Sequence, residues 1–102
     1  MKILAIEREK PGVTEEQCTP HLGPEAERVW ELYQQGIIRE IYFREDREEA
    51  VIVLECTDLK EATAALDTLP LVRNGLIAFE LLPLKPYPGL ARLFRRPPAH
   101  PT

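Results

Sequence analysis

The sequence predicts an α+β domain in which one four-stranded antiparallel sheet carries two helices on a single face. Four short runs rich in β-branched and aromatic residues alternate with two stretches whose apolar residues recur at helical spacing. The elements follow one another in the order β-α-β-β-α-β. Right-handed crossovers fold such an order into one sheet, the ferredoxin-like arrangement. The length of 102 residues is that of one domain.

The first half of the chain contains a strand, a loop and a helix. Residues 2–9 (KILAIERE) predict a strand, but both of its alternating sets are half apolar, so the pattern does not fix which set faces the helices. The loop that follows is interrupted by proline and glycine and holds at most one helical turn, near residues 14–17. A helix is predicted from Pro24 to Gln35, with Gly36 at its C′ position. Its apolar stripe comprises Ala26, Val29, Trp30 and Tyr33, and its solvated side comprises Glu25, Glu27, Arg28, Glu31 and Gln34.

The second half supplies a hairpin, a second helix and a last strand. Residues 37–44 (IIREIYFR) and 50–56 (AVIVLEC) predict two strands joined by a charged turn. Asp58 is placed to cap a helix that Pro70 closes. The apolar stripe of that helix comprises Leu59, Ala62, Leu66 and Leu69. After a loop, residues 76–84 (LIAFELLPL) predict the fourth strand.

Charge and proline content divide the chain into two parts. Residues 1–84 hold nine of the 13 basic residues and all 17 acidic ones, a net charge of −8. Residues 85–102 contain four basic residues and no acid. We therefore predict a ferredoxin-like domain at residues 1–84 and a proline-rich, basic C-terminal extension at residues 85–102. Because its segment PYPGLARLF is too apolar to stay solvated, the extension is expected to pack on its own domain or on a neighbouring subunit.

Composition excludes several functional classes. The overall charge of −4 argues against a nucleic-acid-binding protein, which normally has a basic face. No apolar run approaches the roughly 18 residues that span a bilayer. Cys18 and Cys56 do not have the spacing of metal ligands, and no third ligand converges with them, so no metal site is predicted. The sequence has no recognisable secretory signal, so both cysteines are expected to be reduced. The sequence thus predicts a cytoplasmic protein without nucleic-acid or membrane partners.

Strand alternation predicts a half-apolar sheet face on the side away from the helices. The face under the helices is predicted to hold Ile37, Ile41, Phe43, Ile52, Leu54, Cys56, Ile77, Phe79 and Leu81. The open face is then left with Ile38, Glu40, Tyr42, Arg44, Val51, Val53, Glu55, Ala78 and Glu80. Mixed faces of this kind usually meet a second copy of themselves, and the polar groups line a cavity between the two sheets. We therefore predict a homodimer or a ring built from dimers.

The stretch EATAALDTLPLVRNGLIAFELLPL (61–84) resembles the muconolactone isomerase family, in which a similar helix is followed by a Thr-Leu-Pro-Leu turn and the last strand. That turn is formed here by residues 68–71. The resemblance implies a dimeric α+β barrel with two facing sheets. It also implies a cofactor-free isomerase that moves a proton within an unsaturated lactone without a metal ion. The first strand and the C-terminal extension depart from the family pattern.

Proton transfer next to a carbonyl group requires a carboxylate or a histidine whose pKa lies near the working pH, and burial raises a carboxyl pKa toward that range. Glu80 and Glu55, flanked by apolar residues on the predicted open face, are therefore the catalytic candidates. The ligand-binding candidates are Tyr42, Arg44, His21 and Glu40. A structural alternative is that the two acids form ion pairs with Arg39, Arg44 or the arginines of the extension. Trp30 and Tyr33 are expected to fill the core against the sheet.

Two functions are consistent with these patterns. The first is a cofactor-free, isomerase-like enzyme that acts on a small unsaturated lactone or organic acid, with Glu80 or Glu55 as the base. The alternative is a non-catalytic dimeric module of the same barrel group that binds a small molecule or supports a partner protein. A cofactor-free monooxygenase of that group has no specific residue in its favour.

Overall fold

The computed structural model describes residues 1–94, which form one four-stranded antiparallel sheet with helices on one of its faces. The strands, in the spatial order β2-β3-β1-β4, are β1 (Lys2–Glu9), β2 (Ile38–Phe43), β3 (Ala50–Glu55) and β4 (Ile77–Leu84). The helices are α1 (Glu15–Cys18), α2 (Leu22–Gln34), α3 (Leu59–Leu66) and α4 (Pro70–Arg73). The predicted α+β, ferredoxin-like class is confirmed. Arg95, Arg96 and His100 of the predicted extension lie outside the described residues.

The long helix α2 begins two residues earlier than the pattern predicted. The turn predicted at residues 14–17 is helix α1, in which Thr14 and Gln17 cap each other. A 3-10 turn at residues 19–21 then leads directly into α2 at Leu22. Gly36 has a φ of 79°, as predicted for the C′ residue of this helix.

Helix α3 begins at its predicted cap. The Asp58 carboxylate accepts the N–H of Glu61 at 2.8 Å. The Glu61 carboxylate in turn accepts the N–H of Thr57 at 3.0 Å, one residue before the cap. Pro70 does not simply close this helix, because it is the first residue of the separate one-turn helix α4.

Helix α2 fastens the turn that joins α3 to α4. The Arg28 side chain donates to the Thr68 hydroxyl at 2.8 Å. One turn earlier, the Glu25 carboxylate accepts the N–H of Leu71 at 3.0 Å. Leu69, between these two contacts, is fully buried. The Thr-Leu-Pro-Leu turn is thus a packing element that two polar side chains of α2 hold against the domain.

The core lies between the sheet and helices α2 and α3. Its fully buried large side chains are Ile3, Leu32, Ile38, Ile52, Leu54 and Leu69. The prediction that Ile52, Leu54 and Cys56 face the helices is confirmed, since all three are buried. Strand β1, which the sequence pattern left unassigned, follows the same alternation: Ile3 and Ala5 are buried in the core.

Strand β2 corrects one prediction. Its pairing with β3 shifts register between Ile38 and Glu40, so that Ile38 lies opposite Leu54 and Glu40 lies opposite Val53. The extra residue, Arg39, turns Ile38 toward the helices, where it is 1% exposed. The prediction that Ile38 lies on the open face is wrong, because period-two alternation does not continue across a β-bulge.

The open sheet face is half apolar, as predicted. Leu4 pairs with Val53 and Ile6 pairs with Val51, and these four side chains are half-buried. Leu82, which pairs with Leu4 on the other side of β1, is exposed on the same face. Among the described residues this face has no covering layer, since the helices pack on the opposite face.

The described part of the extension keeps its apolar side chains in solvent. Residues 88–93 form a 3-10 helix. Tyr87, Leu90, Leu93 and Phe94 are between 61% and 86% exposed. Their own domain therefore does not cover them, and packing on a neighbouring subunit stays a prediction. No helix within residues 1–94 has the length and apolarity needed to cross a bilayer.

The corrected position of Ile38 can be tested by truncation. We expect Ile38→Ala to lower the free energy of unfolding by about 2–5 kcal/mol, because it leaves a cavity in the core. The control is Ile41→Ala on the same strand, where the side chain is 40% exposed and a smaller loss is expected. The measurement is urea unfolding at neutral pH. Equal losses at the two positions would contradict the bulged register.

Candidate functional site

A cavity of about 850 Å³ opens between helix α2 and the sheet. Its volume lies within the range of small-molecule binding sites, and its walls are mainly apolar. The apolar walls comprise Val13, Leu22, Ala26, Val29, Trp30, Tyr33, Ile41, Phe43, Ala50, Ile52, Leu69, Leu71, Leu76, Ile77 and Phe79. The described chain leaves much of this wall uncovered, since Trp30 is 57% and Phe43 is 68% exposed.

The predicted apolar stripe of α2 lines the cavity, but it omits Leu22, which also lines the cavity, and Leu32, which lies in the core. Trp30 and Tyr33 do not fill the core: they stack on each other with ring centroids 5.8 Å apart and line the cavity. The side chain that α2 buries completely is Leu32. The expected packing fails for these two aromatic side chains because they face open space between helix and sheet, whereas Val29 of the same stripe packs against the core.

The cavity begins where two central strands separate. The pairing of β1 with β3 ends at Ile6 and Val51, while β1 remains paired with β4 as far as Glu9. Beyond that point, carboxylates replace the backbone partners. Glu7 accepts the N–H of Ala50 at 3.0 Å, and Glu49 accepts the N–H of Glu9 at 3.1 Å. The two bonds satisfy backbone donors that the separated ladder leaves free.

Glu7 is the most buried acid that lines the cavity. It is 8% exposed, and it lies on the helix side of β1 in sequence with the buried Ile3 and Ala5. One carboxylate oxygen holds the Ala50 N–H. Within residues 1–94, no cationic side chain forms an ion pair with Glu7, and no donor is bonded to its second oxygen. Burial raises the pKa of Glu7, the Ala50 N–H opposes this shift, and the charges of Glu49, Glu9 and Glu25 add to it.

Glu25, on helix α2, lines the same cavity as Glu7. It stands within the apolar stripe, three residues after Leu22 and four before Val29, and all three side chains line the cavity. Burial raises the pKa of Glu25, against the opposing effects of the Leu71 N–H and of His21. The charge of Glu25 also contributes to the raised pKa of Glu7, so the two carboxyl groups interact. Two interacting acids in an apolar cavity are a suitable pair for proton transfer.

The two predicted catalytic acids lie on the open face, each with a cationic partner. Glu80 forms an ion pair with Arg8 at 2.9 Å. Glu55 binds the amino group of Met1 at 2.8 Å, and this hydrogen bond lowers the pKa of Glu55. Neither acid lines the cavity beside α2. Their catalytic role stays a prediction.

The predicted ligand-binding residues are spread over three places. The Tyr42 hydroxyl donates to Glu40 at 2.8 Å on edge strand β2. That edge lies three strand spacings from Glu80 on β4, roughly 14 Å across the sheet. Arg44 binds Asp46 in the loop after β2 at 2.6 and 2.9 Å. None of the four lines the cavity, but the charge of His21 acts on the lining residue Glu25.

Sequence reasoning missed Glu7 and Glu25, although the sequence contains a signal for each. Glu7 continues the alternating set of Ile3 and Ala5, but that set was ambiguous until its burial was known. Glu25 was placed on the solvated side of α2, even though it lies at i+3 from Leu22 and i−4 from Val29. The late predicted start of the helix, at Pro24, removed Leu22 from the stripe and hid this spacing.

Comparison with known proteins finds a solved structure with a similar fold. The fold is similar to the solved structure of 5-chloro-2-hydroxyhydroquinone dehydrochlorinase (TftG) from Burkholderia phenoliruptrix AC1100, in complex with 2,5-dihydroxybenzoquinone. The TM-score is 0.68, the sequence identity is 15%, and the match covers 83% of this chain and 94% of that one. No protein-family model matches the sequence, and no curated protein matches it either. The likeness shows a shared α+β fold.

The raised pKa of Glu7 leads to a prediction about stability. Its folded-state pKa lies above the ordinary value of 4.5, so the folded state retains a proton that the unfolded chain has already released. Stability contributed by this group is therefore lost as the pH rises above about 4.5 through the folded-state pKa. Glu7→Gln keeps an oxygen for the Ala50 N–H and cannot ionise. We expect the wild type to lose stability relative to this variant over that interval.

The measurement is urea unfolding of both proteins at a series of pH values. Glu27→Gln is the control, because it removes one exposed carboxylate from α2 outside the cavity lining. A wild type that gains stability relative to Glu7→Gln as the pH rises would contradict the predicted direction of the pKa shift.

Proposed function

We propose that this chain is a cofactor-free enzyme that transfers protons within small unsaturated ring compounds, in the manner of an isomerase, and that Glu7 is its acid-base group. The observation that carries the proposal is the position of Glu7: nine-tenths buried in an apolar cavity, fixed through one oxygen, and without a cationic partner among residues 1–94. The name and bound ligand of TftG, a dehydrochlorinase in complex with a quinone, support a small oxygenated ring as the ligand.

The proposed reaction requires no change in the composition of the substrate. The Glu7 carboxylate removes a proton from carbon next to a carbonyl group, which gives an enolate and a carboxylic acid. Protonation by Glu7 at another carbon of the conjugated system then yields the isomer and restores the Glu7 carboxylate. If Glu25 donates this proton instead, the proton held by Glu7 must pass to Glu25 before the next turnover. A raised pKa is useful in the first step, because it strengthens the base.

The walls of the cavity supply the remaining requirements. Although the mouth of the cavity is open, Glu7 is only 8% exposed, and this burial strengthens electrostatic interactions at its carboxyl group. The Ala50 N–H orients the Glu7 carboxyl group from the strand, and the Leu71 N–H orients Glu25 from the start of α4. Both acids are therefore held by backbone donors of regular elements.

Deuterium exchange tests this assignment. We expect the wild type to catalyse uptake of solvent deuterium into members of a panel of unsaturated cyclic ketones and lactones. Glu7→Gln should reduce the rate by at least about 100-fold, because the general base is lost. Glu25→Gln should reduce it less, and Glu27→Gln should leave it unchanged. The readout is mass spectrometry of the recovered ring compounds.

The same experiment separates the alternatives. If Glu80→Gln or Glu55→Gln abolishes exchange and Glu7→Gln does not, the open face carries the chemistry, as the sequence pattern predicted. If no ring compound in the panel exchanges, the proposed activity is wrong. The non-catalytic ligand-binding module then becomes the better account of the cavity.

We further propose that two copies pair through the open sheet face, with the extension packed on the partner. The support is the exposed apolar surface, which includes Leu82 and Leu84 on β4 and Tyr87, Leu90 and Phe94 in the extension. Native mass spectrometry of the full chain should then show a dimer or a multiple of it. Truncation before Tyr87 should weaken this assembly. A full-length monomer would rule out the facing sheets.

A further inference from the structure

The cavity has an acidic lining in addition to its apolar walls. The titratable carboxylates among its lining residues are Glu7, Glu9, Glu15, Glu25 and Glu48. None of the lining residues that the structure describes is a lysine, an arginine or a histidine. Two of these acids, Glu7 and Glu25, lie where burial disfavours their charged forms. A ligand in the cavity therefore meets carboxyl groups and no cationic lining residue, although the charge of His21, outside the lining, acts on Glu25.

The arginines around the cavity are engaged elsewhere. Arg44 binds Asp46 at 2.6 Å and Glu49 at 3.4 Å. Arg28 binds Glu31 at 3.0 Å and the Thr68 hydroxyl at 2.8 Å. These contacts hold the guanidinium groups on acids and a hydroxyl outside the cavity lining. An anionic ligand would have to recruit one of these arginines from its present partners or use His21, the residue before the lining residue Leu22.

The lining acids act most strongly on a ligand group that lies close to Glu7, the most buried of them. A ligand carboxylate close to Glu7 would be repelled by the ionised form of Glu7, and little water is present there to screen the two charges. It would also have to lose its own hydration without gaining a cationic partner. A neutral N–H or O–H group meets the opposite situation, because the second oxygen of Glu7 can accept a hydrogen bond from it.

The aromatic part of the wall points to the shape of the ligand. Trp30 and Tyr33 stack on each other and, with Phe43, expose large flat surfaces to the cavity. Such surfaces bind flat rings, and they also attract cations through their π faces. An aromatic or conjugated ring could pack on these aromatic side chains, and a hydrogen-bond donor on the ring could bind the lining carboxylates.

We propose that the cavity selects a flat ring compound that is neutral or cationic and donates hydrogen bonds, and that it excludes ring compounds bearing a carboxylate. This inference rests on the proposed function, because it assigns the cavity as the substrate site. The sequence predicted a small unsaturated lactone or organic acid as the substrate. The proposed selection excludes those substrates that carry an ionised acid group.

Three isosteric probes test the selection: benzamidine (cationic), benzamide (neutral) and benzoate (anionic) near neutral pH. The readout is the indole N–H signal of Trp30 in ¹⁵N NMR spectra, since the chain contains one tryptophan and it lines the cavity. We expect benzamide and benzamidine to shift this signal at concentrations at least about tenfold lower than benzoate does. Equal or tighter binding of benzoate would overturn the inference, and so would the absence of any shift with benzamide and benzamidine.

Variants connect the selection to the lining acids. Glu25→Gln should reduce the ratio between benzamide and benzoate affinities, because it replaces an acid whose ionised form repels benzoate with a neutral amide. Glu27→Gln changes the net charge by the same amount outside the cavity lining and should leave the ratio unchanged. Equal effects of the two substitutions would mean that the overall charge of the protein causes the discrimination, and the inference would fail.

The outcomes for selection and for catalysis are separable. If benzamide and benzamidine bind more tightly than benzoate but no ring compound exchanges deuterium, the proposed ligand class is supported and the proposed activity is wrong. Exchange into carboxylate-bearing rings at rates equal to those for their amides would leave the activity intact and remove the ligand class.

Discussion

The contact between the Glu7 carboxylate and the Ala50 N–H is the interaction on which the candidate site depends. It lies where the pairing of β1 with β3 ends and takes the place of a backbone partner. The same bond that completes the sheet thus carries a carboxyl group into an apolar cavity, where its second oxygen is left without a bonded donor among residues 1–94. In the function that we propose, a single residue thus supports the fold and supplies the acid-base group.

Helix α2 gives the cavity its second wall and its second acid. Leu32 packs into the core on one side of the helix, while Trp30 and Tyr33 face the cavity on the other. Glu25 reaches across to the Leu71 N–H and so ties the helix to the start of α4. The Thr-Leu-Pro-Leu turn, which carries the resemblance to muconolactone isomerases, therefore has a structural function here: it anchors Glu25 in the lining of the cavity that also contains Glu7.

Periodicity predicted the fold because most of the strands keep one face apolar. The buried set Ile52, Leu54 and Cys56 is unbroken, and its burial follows from the sequence. Local patterns do not show where a ladder ends or bulges. The bulge at Arg39 reversed the assignment of Ile38, and the end of pairing beyond Ile6 created the site of Glu7. Glu80 and Glu55 were the catalytic candidates from the sequence, but in the structure Glu80 forms an ion pair with Arg8 and Glu55 forms one with the Met1 amine.

The most direct test of the account is the pKa of the Glu7 carboxyl group, measured by ¹³C NMR titration of its side chain. The account predicts a value above the ordinary 4.5, because the group is buried near other acids and has no cationic partner in residues 1–94. It also predicts that Glu25→Gln brings this value closer to the ordinary one. A Glu7 pKa at or below 4.5 would contradict the account, since the carboxylate would then be stably ionised and unsuited to exchanging protons near neutral pH.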